Sequence, residues 1–169
     1  YEMYYLFRGE RNYFIKDSVY RVQPGDMMLI DSNAVHRTSE LGAPSHERIV
    51  LHFAPSFFRS YSQEEQELLL APFAGAYPLV RLNLHERMHV ESLLASLLSE
   101  LNECPPGYPI HIRNKTVELL LFTARHMLKR KVQPDDELSP VQRKVTEIVR
   151  HINLHFSDPL HMDALAKQY

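Results

Sequence analysis

The sequence predicts an α+β protein, with an antiparallel β-sandwich or barrel at the front, two long helices behind it and a short all-α segment at the end. Three observations carry that prediction. Short β-favouring runs recur at roughly ten-residue spacing up to Phe53, separated by Gly, Pro, Asn and Asp. After Pro55 the apolar period changes from that of a strand to that of a helix. A polar, Pro-containing stretch at 132–138 then sets off a last helical pair.

Taken in order, Met3-Tyr4-Tyr5-Leu6-Phe7 is the first strand and Arg8-Gly9-Glu10 ends it; Tyr13-Phe14-Ile15 is the second and Lys16-Asp17-Ser18 ends it. Val19 to Val22 leads into the turn Gln23-Pro24-Gly25-Asp26, and Met27 to Ile30 leads into Asp31-Ser32-Asn33. Arg48 to Phe53 closes the series. There Arg48, Val50 and His52 share one strand face, and Ile49, Leu51 and Phe53 the other.

Gln63 to Leu70 is a short helix, and Leu79 to Leu82 returns one strand to the sheet. Leu84 to Leu101 is an amphipathic helix with an apolar arc of Leu84, Val90, Leu93, Leu94, Leu97, Leu98 and Leu101. It breaks at Cys104-Pro105-Pro106-Gly107. Residues 110–131 form the second long helix, on a stripe of Val117, Leu120, Leu121, Ala124, Met127 and Leu128. Leu119 and Phe122 fall outside that stripe. They are therefore expected at a helix-against-helix dimer contact, the competing reading being deeper burial within one chain. From Arg113 to Lys131 this helix carries six Lys/Arg against the single acid Glu118. A solvated face suits them better than a phosphate-facing patch.

The last pair starts at Ser139 as N-cap, with Pro140 at the first helical position and Gln142 three residues past the cap. Val141, Val145, Ile148, Val149, Ile152 and Phe156 form its stripe. A turn at Ser157-Asp158-Pro159 leads into a second helix, Leu160 to Tyr169.

At 169 residues the chain fits one domain, or one and part of another. A net charge of −2 excludes a global basic field, so any role with DNA must be local. The single Cys104 excludes an internal disulfide, a zinc ribbon and a redox pair, and suits a reducing, cytoplasmic setting. No apolar run is long enough for a membrane span. Tyr1 opens mid-pattern and the last helix stops short, so both ends read as cut from a longer chain.

His85-Glu86-Arg87-Met88-His89 matches the zinc motif H-E-x-x-H, which needs both imidazoles on one buried helix face. The helical wheel places His85 and His89 opposite the apolar arc, among Ser92, Ser96, Ser99, Glu100 and Glu103, facing water. A metalloprotease is therefore not expected. His151 and His155 are also four apart but flank the apolar stripe of their helix, where a solvated or edge position suits them better than a metal site.

Pro24-Gly25-Asp26-x-x-Leu29-Ile30, with His36 ten residues after Asp26, resembles the second half of a cupin barrel. Glu2 and Gly9 match the last ligand and the turn glycine of the first cupin motif. Gly9 and Gly25 suit turns with positive φ, and Asp26 can cap its own turn. In metal-binding cupins two His residues precede that Glu; here that position lies before Tyr1.

With the two long helices, the linker and the terminal Leu165-Ala166-x-x-Tyr169, the order of elements resembles AraC/XylS-type transcription regulators over essentially the whole chain. The resemblance implies a cupin-like barrel (a double-stranded β-helix or jelly roll) at 1–83. A helical dimerisation segment at 84–131, a linker at 132–138 and the truncated start of a helix-turn-helix DNA-binding domain at 139–169 follow. His161 stands where the family usually has a Ser or Thr cap.

The resemblance further implies a small-molecule effector, often a sugar, bound without metal or cofactor, a homodimer, and promoter DNA read by helices beyond this chain. Tyr5, Tyr13, His36, Arg48 and His52 are the candidate effector-binding residues, against the plainer readings of core tyrosines and a loop histidine. No catalytic or metal residue is assigned. The alternative is a small metal-dependent cupin enzyme, an isomerase or oxygenase, which needs a complete ligand set where only Glu2 and His36 are on offer. A third reading, a bare oligomerisation module, predicts no occupied pocket.

Overall fold

The computed structural model describes residues 1–15, 17–41, 45–75, 77–129, 140–155 and 161–168. The expected linker, the cap at Ser139, the turn at 157–159 and the closing Tyr169 lie outside the described residues.

Two antiparallel sheets are present. One has the order β6-β1-β4-β7, from Glu47–His52, Glu2–Arg8, Asp26–Ile30 and Leu79–Arg81. The other is β3-β2-β5, from Ser18–Val22, Arg11–Ile15 and His36–Glu40. Strand β5 was not expected, because His36-Arg37-Thr38-Ser39-Glu40 contains no apolar residue to show a period. It pairs Ile15 with His36 and Tyr13 with Thr38, at the edge of its sheet.

A 3₁₀ turn at Pro55–Phe58 leads to α1 (Gln63–Ala74), and α2 (Leu84–Glu103), α3 (Tyr108–Lys129), α4 (Pro140–Leu154) and α5 (Met162–Gln168) follow. Capping boxes start the first two helices: Ser62 with Glu65, and Asn83 with Glu86. Helix α1 runs past the expected Leu70 and through a buried Pro72. Cys104 ends α2 in the left-handed region at φ 47°, its N–H bonded to the Glu100 carbonyl.

The β6-β1-β4-β7 sheet is buried on both faces, which is why β4 (Asp-Met-Met-Leu-Ile) is buried at every position. Tyr4, Leu6, Met28 and Ile30 meet Tyr13, Ile15, Tyr20 and Val22 of the second sheet. On the opposite face Met3, Tyr5, Met27 and Leu29 pack against α1, α2 and α3 through Leu69, Phe73, Leu94 and Leu119. Helix α4 lies against β3, where the Val19 N–H donates to Thr146 Oγ1 at 3.4 Å.

The β3–β4 turn is built as its residues require. Gly25 sits at φ +89°, and the Asp26 carboxylate accepts from the Gln23 N–H at 2.8 Å. A Cβ on Gly25 would fall 2.1 Å from Arg87 Nε, so this turn is also the seat for a side chain of α2.

Three expectations about the helices need correction. Leu84, Leu98 and Leu101 are exposed rather than part of the buried arc of α2, which is Val90, Leu93, Leu94 and Leu97. Leu128 is likewise exposed. Leu119, expected on a free face of α3, is only 1% exposed within the single chain. The buried face of α3 is rotated toward Thr116, Leu119, Leu120, Thr123 and Ala124. Thr116 and Thr123 sit there because each hydroxyl donates to the carbonyl four residues back, at 2.8 Å in both cases.

Candidate functional site

A cavity of about 340 Å³ opens between the two sheets, where edge strands β5 and β6 face each other. Its lining follows the period-two rule on four strands. β1 contributes Glu2 and Tyr4, β2 contributes Arg11 and Tyr13, and β5 contributes His36 and Thr38. From β6 come Arg48, Val50 and His52, with His46 just before that strand. Ile49, Leu51 and Phe53 pack on the helix side, as the alternation predicts.

At one end Glu2 Oε2 lies 3.0 Å from His52 Nε2 and 3.3 Å from His36 Nε2. His36 Nδ1 is 2.9 Å from the Ala34 carbonyl, so both of its ring nitrogens face acceptors. The His36 ring stacks on Tyr13 at 6.4 Å between centroids and 15° between planes, and Tyr13 meets Tyr4 edge-on at 4.9 Å. Both imidazoles converge on one carboxylate oxygen rather than on an open centre. Among the described residues, no group of three His, Cys, Asp or Glu is arranged to hold a metal ion.

At the other end two guanidinium groups meet. Arg11, only 8% exposed, contacts His46 and lies 3.6 Å from Glu40. Arg48 reaches the same imidazole from the opposite sheet. Arg37 belongs to the lining, but its guanidinium lies over Phe14, 5.2 Å from the ring centre. Between the two ends stands the Tyr4 hydroxyl, buried and without a hydrogen-bond partner among the described residues.

Burial pushes the Tyr4 phenol above its ordinary pKa, against the opposing pull of Arg48 and Arg11. Tyr13 is pushed up by burial first and then by the Glu2 carboxylate. Both phenols are thus neutral hydrogen-bond donors at ordinary pH.

Of the sequence candidates, Tyr13, His36, Arg48 and His52 come together here. Tyr5 does not. It lies on the helix side of β1, where its hydroxyl donates to Glu91 Oε1 of α2 at 2.6 Å. Its neighbour Tyr4 takes the place in the cavity. Arg11, His46 and Thr38 were not anticipated. The alternation Arg11-x-Tyr13-x-Ile15 is the one signal that could have found Arg11.

Helix α2 explains away the zinc-like motif. His85 and His89 are exposed. The Glu86 carboxylate accepts from the Asn83 N–H at 2.8 Å and lies 3.0 Å from His126 Nδ1, so it is a capping and pairing group. Phe122, half-buried, lies between the rings of His89 and His126 at 5.1 and 6.1 Å. Among the described residues no helix is long and apolar enough to cross a membrane.

Compared with known protein families, residues 1–120 match the model of the AraC-like ligand binding domain. No curated protein matches the chain.

Proposed function

Since the chain belongs to the family of AraC-like ligand-binding domains, we propose that it is the sensor portion of an AraC-type transcription regulator. In this reading residues 1–83 hold a small-molecule effector in the cavity between the sheets. Residues 84–131 carry the dimer contact, through the Phe122 face of α3. The segment at 132–138 joins the sensor to the start of a DNA-reading unit at 139–169, and the whole works in the cytoplasm.

One observation supports the reading most. Charged and hydroxyl-bearing side chains from four strands converge on an open cavity, and the buried Tyr4 hydroxyl there awaits a partner. Such a site binds and holds. The effector acts by population shift: contacts in the cavity favour one arrangement of the sensor relative to the DNA-reading heads. Effector occupancy is expected to change the promoter affinity or half-site preference of the full-length regulator in an electrophoretic shift assay. Unchanged affinity, half-site preference and transcriptional output at saturating effector would refute it.

A further inference from the structure

We propose that the cavity selects an oxyanion, a carboxylate or phosphate carried by a small hydroxylated molecule, and that Arg11, Arg48 and the Tyr4 hydroxyl grip it. The inference rests on the reading of the cavity as an effector site and names the class of effector.

The first argument is charge. Glu2 is the one carboxylate of the lining, and His36 and His52 already engage it at the far end. Arg48 has no carboxylate within ion-pair distance among the described residues, and the one acid near Arg11 is Glu40, outside the lining. Among the described residues, two guanidinium groups thus enter a partly enclosed space with one carboxylate between them, Glu40, which holds Arg11 from outside the lining. Arg11, the buried one of the two, gains most from a charge-assisted hydrogen bond to an oxyanion, and the exposed Arg48 closes on it from the mouth.

The second argument is hydrogen-bond bookkeeping at His46. Arg11 Nη2 lies against both ring nitrogens, 3.1 Å from Nε2, and Arg48 Nη1 lies against Nε2. A neutral imidazole has a single acceptor nitrogen, and guanidinium nitrogens only donate. Two guanidinium groups therefore share a ring that can accept from at most one of them through each lone pair. An oxyanion, with several lone pairs, would satisfy both arginines at once.

The third is the Tyr4 hydroxyl. It is a donor in want of an acceptor, and it stands within the electrostatic reach of both guanidinium groups. The Glu2 end, with its carboxylate and imidazoles, suits the hydroxyl groups of the same ligand. The cavity volume of about 340 Å³ fits a small metabolite rather than a long chain.

The test is a titration of the 169-residue chain with inorganic phosphate, glycolate and D-ribose. Calorimetry gives the affinity, and the imidazole proton resonances of His46 report the arginine end and those of His36 the Glu2 end. Phosphate or glycolate is expected to shift the His46 resonances, since that ring lies against both guanidinium groups, with affinity weakened about tenfold or more by Arg48→Gln. Arg48→Lys, which keeps the charge, is expected to lose less, and ribose to bind weakly or not at all. The stronger of the two anions identifies the headgroup.

Binding of ribose alone at His36, indifferent to Arg48→Gln, overturns the oxyanion and leaves the effector site standing. Anion binding that Arg48→Gln leaves unchanged also overturns it. If neither anion binds, the oxyanion falls, and the effector site stands or falls by the promoter-binding test of the full-length regulator. Arg48 is exposed on an edge strand, so the variants test binding and not folding.

Discussion

Tyr4 and Tyr5 are adjacent in the chain, yet their hydroxyls end on opposite faces of one sheet in opposite states. Tyr5 Oη donates to Glu91 at 2.6 Å on the helix side; Tyr4 Oη is buried on the cavity side without a partner among the described residues. One strand thus separates a tyrosine satisfied against the helices from an unsatisfied one at the proposed site.

Removing each hydroxyl should therefore have opposite effects. Tyr5→Phe leaves Glu91 without its donor and is expected to cost about 1.5 kcal/mol in urea unfolding. Tyr4→Phe removes an orphaned polar atom and is expected to be neutral or stabilising in the free protein. It should weaken only the binding of the cavity's ligand. Equal destabilisation by the two changes would contradict this division.

Gly25→Ala meets two obstacles at once. An L-residue at φ +89° costs on the order of 1–3 kcal/mol, and the new Cβ must displace the Arg87 side chain. In thermal unfolding, adding Arg87→Ala to Gly25→Ala should recover the steric part and leave the backbone part. Full recovery would mean that the turn carries no strain.

Helix α3 separates core from surface at adjacent turns. Leu119→Ala should cost about 2–5 kcal/mol in a monomer, as cavity-forming changes do. Phe122→Glu should be milder in unfolding, yet move the sedimentation equilibrium of a dimer toward monomer. A wild-type chain that remains monomeric at high concentration would remove the dimer contact.

Four phenols should resist alkali. Tyr4, Tyr5, Tyr13 and Tyr20 are all raised from the ordinary value of 10.0, with burial as the largest cause. Above pH 10 the unfolded chain releases these protons while the folded chain keeps them, so folding stability should fall as pH rises through that region. Phenolate absorbance should show these four ionising late or together with unfolding. Early ionisation of Tyr13 would contradict its burial.

How much was legible in the sequence follows from which faces are buried. In β6 Arg48 and His52 stand four positions apart, in phase, on either side of the apolar run Ile49-Val50-Leu51, so both could be assigned to one face. In β1 the run Met3 to Phe7 is apolar throughout because its sheet is covered on both sides. Alternation then carries no information, and the sequence does not show that Tyr4, and not Tyr5, lines the cavity. Strand β5 escaped for the converse reason, having no apolar residue at all. On α3, two threonines that satisfy their own hydroxyls inside the helix pass for surface, and so hide the rotation that buries Leu119.

Strand β5 also bears on solubility. It and β6 are edge strands, each paired on one side alone among the described residues, and together they frame the mouth of the cavity. Such edges invite strand addition by another chain and, eventually, aggregation. His36-Arg37-Thr38-Ser39-Glu40 answers that hazard with charge and with the absence of any sticky side chain. The composition that conceals the strand in the sequence thus lets the cavity stay open to water without its rim becoming a template for fibres.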